Sequence, residues 1–235
     1  MYSPPVVAAS THVRRLCRSL LFRIYRPYVL RRIGRPAEAK LLGLTLLTDP
    51  EVFHPVFFLS TGLLVEEVRR LDLAGKRFLD MGTGSGAVGV FAARQNALVT
   101  ACDINPHAVE LARRNLRRHG IDAEVLESDL FSALTGQVFD VISFNLPFYP
   151  GEPRTPLEAA FRGGKDLGTV DAFIKNCSRF LSIGGAVLVL FSEDVDRQRI
   201  VSGFARQGFA MAHEHIAHRW CERFHIVRFQ KAILP

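Results

Sequence analysis

Two short stretches of the chain combine residue types that can do chemistry together. In Asp80-Met-Gly82-Thr83-Gly84-Ser-Gly86, an apolar strand ends on a carboxylate and runs into a glycine turn. The glycines allow a sharp turn and a close approach to a ligand, and the helix opening after Gly86 presents free N–H groups. About 60 residues later, Asn145-Leu146-Pro147-Phe148 ends another apolar strand, Val138 to Asn145. Pro147 donates no N–H and fixes its own φ, so the Leu146 carbonyl can face a cleft beside the Asn145 side-chain oxygen. Two acceptors would then hold one –NH₂ group. Gripping both N–H bonds aims a delocalised nitrogen lone pair at an electrophile, which is catalysis by orientation and electrostatics. No strong base is needed if the proton leaves after transfer. An Asn-x-Pro is also a plain turn signal; its place after a fourth strand in register is what points to a site.

The spacing Gly82-x-Gly84-x-x-Ala87 also satisfies a loose dinucleotide fingerprint, so the glycines alone do not name a ligand. The carboxylates favour S-adenosylmethionine (SAM). Asp80, two residues before the first glycine, would repel a pyrophosphate but suits an amino-acid ammonium group. Asp103, 23 residues after Asp80, ends the next strand and can accept from both ribose hydroxyls. Asp129 follows the third strand in Glu127-Ser-Asp-Leu130. Any one of them could be a turn residue or a helix cap. Their recurrence at successive strand ends argues for one ligand site. Thr61, Thr83, Ile104, Leu130 and Asn145 complete the expected cofactor set. Phe148 offers a face for a planar group and a cation–π contact to the sulfonium.

These residues must be carried by a scaffold, and the hydrophobic pattern supplies one. Apolar strands fall near 77–81, 98–103, 122–127, 138–145 and 185–191, alternating with helical patterns near 86–95, 106–119, 169–182 and 194–207. That alternation predicts a doubly wound, mostly parallel α/β sheet. Phe209 to Ala217 and Phe224 to Ala232 follow without a helix between them and read as an antiparallel hairpin at the sheet edge, which brings the sheet to seven strands. Upstream, Leu41 to Leu47 reads as a strand, Asp49-Pro50 as a turn, and Gly62 to Leu71 as a helix capped by Thr61 or Ser60.

Composition bounds the class. The 235 residues are 48% apolar and 23% charged, enough for one full α/β core. No apolar run reaches membrane-span length, and the N-terminus lacks the signature of a signal peptide. The four cysteines, Cys17, Cys102, Cys177 and Cys221, form no Cys-x-x-Cys pair, so a reducing cytoplasm is the simplest setting. Of the net charge of +7, the eight arginines within the first 35 residues account for all the excess. Val13, Leu16, Cys17, Leu20, Leu21, Ile24 and Tyr25 recur there at helical spacing. Residues 1–48 therefore read as a basic helical segment acting as a cap or lid, and 49–235 as the SAM-binding domain. An anionic surface or nucleic acid is the other use for such arginines.

From about Val52 onward the chain resembles the HemK-like protein-glutamine methyltransferases and their relatives with an Asn-x-Pro-aromatic motif. The likeness rests on Pro55 to Thr61, the Asp80 glycine loop, Asn145-Leu-Pro-Phe148 and Phe161-Arg-Gly-Gly-Lys-Asp-Leu-Gly168. It implies a Rossmann-like SAM methyltransferase fold. It also implies that Asp80, Gly82, Asp103 and Asp129 hold SAM, with Asp129 by the adenine amine, and that Asn145, Pro147 and Phe148 hold the acceptor. Two departures bear on the acceptor. The usual Asn-Pro-Pro-Tyr is Asn-Leu-Pro-Phe here, closer to enzymes that methylate adenine amines in RNA, and the first 40 residues leave no room for the helical domain that grips release factors.

The leading expectation is a transferase that methylates an amide or amine nitrogen, with a small molecule or protein side chain favoured over nucleic acid as acceptor. A second keeps the SAM site but lets the amine of SAM attack its own side chain, closing a ring and releasing methylthioadenosine. A third is a non-catalytic RNA- or protein-binding module, against which the intact glycine loop counts. No metal is expected: His213, His215, His218 and His225 read as strand or loop residues, although Glu214, Cys221 and Glu222 lie among them. Phe53, Phe57 and Phe58 read as core, and Ser192 and Glu193 as remote candidates for contacts in the cleft.

Overall fold

The computed structural model describes residues 34–149, 151–219 and 222–231. The arginine-rich helix read over the first 33 residues, together with Cys17 and Cys221, lies outside them. The chain opens with β1 (Ala37–Leu41), β2 (Leu44–Thr48) and α1 (Leu59–Val68). The alternating region comprises β3 (Arg77–Met81), α2 (Ala87–Ala93), β4 (Leu98–Asp103), α3 (Pro106–Arg118), β5 (Glu124–Glu127) and β6 (Phe139–Asn145). After it come α4 (Pro156–Ala159), α5 (Gly168–Cys177), β7 (Leu181–Ser192), α6 (Arg197–Arg206), β8 (Phe209–Arg219) and β9 (Glu222–Lys231).

Seven strands form one sheet in the order β5-β4-β3-β6-β7-β9-β8. The pairs from β5 through β7 are parallel, and β9 is antiparallel to both its neighbours. This is the doubly wound sheet that the alternation predicts. The terminal hairpin closes it with its second strand inside. Burial explains that order: β9 contributes Phe224, Ile226, Val227 and Phe229 to the core, whereas β8 contributes only Phe209 and Ala217. The more apolar strand takes the interior place and the polar one the edge.

The chain winds outward from β3 to β5 and then returns to β6 on the other side of β3. A crevice opens at the carboxyl ends of the strands where the order reverses. Helices cover both faces. Successive β6 side chains point to opposite sides of the sheet. Phe144 meets Phe173 of α5 at 4.9 Å, and Asn145 bonds Ser60 of α1. On the α5 side a chain of rings runs from Phe131 through Phe173 and Phe204 to Phe229. It locks α5 and α6 onto the sheet.

Two local expectations change. The strand read at Leu41 to Leu47 is broken by Leu42 and Gly43, both at positive φ (45° and 88°), into the hairpin β1–β2. The helix read from Gly62 begins at Leu59, and neither Ser60 nor Thr61 caps it. The preceding turn is held instead by the His54 ring, whose Nδ1 accepts the Val56 and Phe57 N–H groups at 3.2 Å. Burial lowers the His54 pKa to about 4, so the ring is neutral and free to accept.

Asn115 of α3 is fully buried and fastens the hairpin to the glycine loop. Its Oδ1 accepts the Leu47 N–H at 2.7 Å, and its Nδ2 donates to the Leu47 carbonyl at 3.0 Å and the Ser85 carbonyl at 2.8 Å. Replacing Asn115 by Ala removes the partner of the buried Ser85 carbonyl and of the half-buried Leu47 N–H and carbonyl. Denaturant unfolding is expected to show a loss of about 2 kcal/mol or more; a loss under about 0.5 kcal/mol would mean that the hairpin is held by packing alone.

Candidate active site

The crevice is built from the end of β3 outward. Asp80 is only 2% exposed. Its Oδ2 accepts the Thr83 hydroxyl at 2.7 Å and the Gly89 N–H at 2.9 Å, and the Ser143 hydroxyl lies 3.5 Å from Oδ1. Burial pushes its carboxyl up to about 6, against the opposing pull of these hydrogen bonds. Gly82 and Gly86 are required by crowding as well as by φ. A Cβ on Gly82 would sit 2.8 Å from the Phe144 ring, and one on Gly86 would sit 3.0 Å from the Ala112 backbone. Gly84, at φ 54°, has nothing nearer than 4.0 Å and leaves the floor of the crevice open.

At the end of β4, Asp103 Oδ2 accepts the Gly84 N–H and Oδ1 the Asn105 N–H, both at 2.9 Å. Burial raises its pKa although these bonds oppose the shift. Each oxygen keeps a further lone pair for a ligand. The Asn105 side chain donates to the Glu51 carbonyl at 2.7 Å and so draws the Val52-Phe53 stretch over the crevice. After β5, the Ser128 hydroxyl ties the turn by bonding the Leu130 carbonyl at 2.8 Å, which leaves Asp129 exposed at the rim.

At the end of β6, the Asn145 Nδ2 donates to Ser60 Oγ at 2.9 Å. Its Oδ1 is buried and has no hydrogen-bond partner among the described residues. The following backbone is fixed from two sides. The Leu146 N–H donates to the Leu190 carbonyl of β7 at 2.9 Å, and Tyr149 bonds across to Phe161 and Gly163. A Cβ on Gly163 would lie 2.4 Å from the Pro147 carbonyl oxygen. The segment Phe161 to Gly168 therefore needs its glycine where it crosses the Asn145 motif.

These elements enclose a cavity of about 250 Å³. Thr61, Asp80, Gly82, Thr83 and Gly84 line it, as do Asp103, Ile104, Asp129, Leu130, Asn145 and Pro147. Three expected residues stand apart. Gly86 packs on α3, and the Phe148 side chain lies in the core, 7% exposed; Leu146 is absent from the lining with its side chain buried at 1%, which does not bear on the direction of the carbonyl expected beside Asn145 Oδ1. The Phe148 ring packs against Tyr149 at 4.8 Å instead of facing the cavity.

Among the other lining residues, Phe53 and Arg162 were not expected from sequence, and neither was Ser60, which lies outside the lining. Phe53, read as core, is half-buried in the wall and stacked on Phe58 at 4.0 Å. Arg162 reaches the cavity from the segment that crosses the motif. Ser60 stands behind Asn145. A lone serine in the apolar first turn of α1 was the available sign, and it suits a helix cap equally well. Ser192 and Glu193 lie away from the cavity: the buried Ser192 hydroxyl accepts the Asp194 N–H at 3.2 Å, and Glu193 faces Arg223.

Two of the late histidines meet carboxylates. His215 pairs with Glu67 of α1, and His225 bonds Glu214 at 2.8 Å. Arg197 holds the same Glu214 through two hydrogen bonds and draws its carboxyl down to about 2. Among the described residues no group of three His, Cys, Asp or Glu side chains is placed to hold a metal, and no helix is long and apolar enough to cross a membrane.

Residues 43–215 match the methyltransferase small domain family. The chain belongs to that family. A candidate protein N5-glutamine methyltransferase of Methanocaldococcus jannaschii is 33% identical over 173 residues, 71% of this chain and 85% of that protein. The release factor glutamine methyltransferase of Geobacter sulfurreducens is 31% identical over 205 residues, 82% of this chain and 70% of the relative. Among solved structures, the T. thermophilus 16S rRNA methyltransferase RsmC, in complex with AdoMet and guanosine, superposes with a TM-score of 0.64 at 22% identity. That match covers 84% of this chain and only 50% of RsmC. A methyltransferase from Pyrococcus furiosus gives 0.60 at 20% identity over 92% and 99% of the two chains.

This methyltransferase is SAM-dependent, and the cavity suits that cofactor. An open glycine floor, carboxylates at the ends of β3 and β4 and an apolar wall match a ligand with a cationic amino-acid end, a ribose and a flat base.

Asp80 also gives the methyltransferase a testable pH dependence. Its folded pKa lies above the unfolded value of 3.8. The native state thus binds more protons between the two values, and this contribution to stability is complete below about 3.8 and lost as pH rises through about 6. Asp80→Asn is expected to flatten the part of the stability curve that falls between about pH 4 and 6, measured by denaturant titration without SAM. An unchanged slope would mean that Asp80 titrates as an ordinary carboxylate.

Proposed function

We propose that the methyltransferase acts on an amide nitrogen, the side chain of a glutamine in a protein. The observation that carries this reading is the Asn145 Oδ1 atom, buried beside the cavity with its acceptor capacity unspent while Nδ2 is committed to Ser60. A buried carbonyl oxygen without a donor is costly, and a planar –NH₂ supplies the donor that it lacks. The relatives support a protein acceptor. This chain spans 85% and 70% of the two glutamine methyltransferases, but 41% of the Escherichia coli ribosomal RNA small subunit methyltransferase C to which it is also 33% identical.

Asp103 would hold the ribose hydroxyls of SAM through its free lone pairs, Asp80 the ammonium end, and Asp129 with Leu130 and Ile104 the base. Bound there, the cofactor supplies an electrophilic methyl on a cationic sulfur. The residues of the chain contribute position. Asn145 Oδ1 accepts one N–H of the amide, which turns the nitrogen lone pair toward the cofactor side of the cavity. Phe53 and Pro147 line the same cavity with apolar surface, which limits the water that can compete for the hydrogen bond. The departing proton passes to water.

The test incubates the protein with methyl-labelled SAM alone, with a release factor and with small-subunit ribosomal RNA. S-adenosylhomocysteine and methylglutamine are expected with the release factor only. Label in RNA would overturn the protein acceptor, and methylthioadenosine formed from SAM alone would replace methyl transfer with ring closure. Asn145→Ala is expected to lower turnover by about 10² while leaving SAM affinity unchanged. Asp103→Ala is expected to weaken SAM binding about tenfold, ~1.4 kcal/mol, by calorimetry.

A further inference from the structure

We infer that Arg162 is the carboxylate-binding residue of the cavity, holding the amino-acid carboxylate of SAM. The inference rests on the placement of the ammonium end at Asp80 proposed above and does not depend on the identity of the acceptor. SAM brings two cationic groups and one carboxylate. Of the described residues that line the cavity, the charged ones are Asp80, Asp103, Asp129 and Arg162. The three carboxylates suit the ammonium, the ribose and the base, and none of them suits an anion. Arg162 alone offers the opposite sign.

Backbone N–H groups of the glycine loop are the other donors at hand, and several are spent. The Thr83 N–H donates to the Cys102 carbonyl at 3.0 Å, the Gly84 N–H to Asp103 Oδ2 at 2.9 Å, and the Gly86 N–H to the Thr83 carbonyl at 2.9 Å. The Thr83 hydroxyl is committed to Asp80. Arg162 keeps donor capacity. Its Nε is buried and has no hydrogen-bond partner among the described residues. Glu158 Oε2 makes an ion pair with that Nε at 3.4 Å, but the same oxygen already accepts the Arg154 N–H at 2.9 Å. One edge of a guanidinium donates two parallel N–H bonds, which is the geometry that a carboxylate takes.

The wall that carries Arg162 is fixed on both sides. The Tyr149 N–H donates to the Phe161 carbonyl at 2.8 Å, and the Gly163 N–H returns to the Tyr149 carbonyl at 3.0 Å. Because Tyr149 follows the Asn145 motif, this wall stands on the β6 side of the crevice. The sheet order then sets the order of the charged groups: Asp129 after β5, Asp103 at the end of β4, Asp80 in β3, and Arg162 beyond β6. Base, ribose and amino-acid end follow one another in the same direction along SAM. The amino-acid end, with both charged groups on one carbon, falls between Asp80 and Arg162.

The test is calorimetry of the full chain with SAM and with decarboxylated SAM, which keeps the amine, the sulfonium and the adenosine. The wild type is expected to bind SAM about tenfold more tightly, or better. Arg162→Ala is expected to weaken SAM about ten- to a hundredfold, the loss of hydrogen bonds to a charged group. Its affinity for decarboxylated SAM should stay at the wild-type value, which also shows that the variant is folded. Arg162→Lys keeps the charge without the fork and should fall between. Both ligands carry the amine, so Asp80→Asn should weaken them alike; if it weakens neither, the ammonium placement fails and the Arg162 comparison still stands. Equal wild-type affinities for the two ligands would overturn the inference without any variant. A preference for SAM that survives in Arg162→Ala would overturn it in favour of the glycine-loop backbone, and equal loss of both ligands would assign Arg162 to packing. A raised KM for the acceptor with that preference intact would place the guanidinium on the acceptor instead.

Discussion

Removing the Asp80 carboxylate from water at the end of β3 carries a large desolvation cost, and hydrogen bonds to its oxygens offset part of it. Those bonds come from Thr83 in the glycine loop and from Gly89 inside α2, so one side chain fixes the exit from the strand, the turn and the start of the helix together. Asp103 repeats the arrangement one strand over, with the Gly84 and Asn105 N–H groups on its two oxygens. Gly84 therefore stands between two anchored carboxylates. The floor of the cavity is held from both sides before any ligand arrives, which lowers the ordering cost of binding.

The Asn145 end of the cavity is organised differently, by neutral groups and close approach. β7 holds the Leu146 backbone, α1 holds the Asn145 side chain, and Gly163 crosses within contact of the Pro147 carbonyl. Three elements distant in sequence converge on four residues. Asn145 Oδ1 is left without a hydrogen-bond partner among the described residues, as is Arg162 Nε on the crossing segment. Native structures satisfy nearly all their buried polar atoms, and the amide acceptor proposed above would supply the donor that Oδ1 lacks.

What could be read from the sequence follows from how local each signal is. The parallel strands and their helices were legible because period 2 and period 3.6 patterns are written in adjacent residues. The carboxylates at strand ends were legible because a turn must follow each strand, and Asp80, Asp103 and Asp129 fall at those turns. The β1–β2 hairpin was misread as one strand because Leu42 takes a left-handed conformation that its residue type does not announce. Ser60 and Phe53 were misassigned because their roles depend on what α1 and the Asp49–Phe58 stretch pack against, and no local period encodes that. Phe148 shows the converse. Its chemistry suggested a stacking face, and packing turned the ring into the core beside Tyr149.

That contrast bears on how far a motif can be trusted to describe a site. Asn145 and Phe148 are three residues apart, and the structure gives them opposite surroundings. The backbone after β6 leaves the sheet at Pro147, so each side chain there takes its direction from whatever the loop meets next. Asn145 still belongs to the strand and inherits its register, which directs it toward α1 and the crevice. Phe148 belongs to the loop, where the Tyr149 and Gly151 bridges to the 162–164 segment decide its direction. The last strand residue is therefore the part of the motif that the fold positions most rigidly, and a group that works by orientation needs that position.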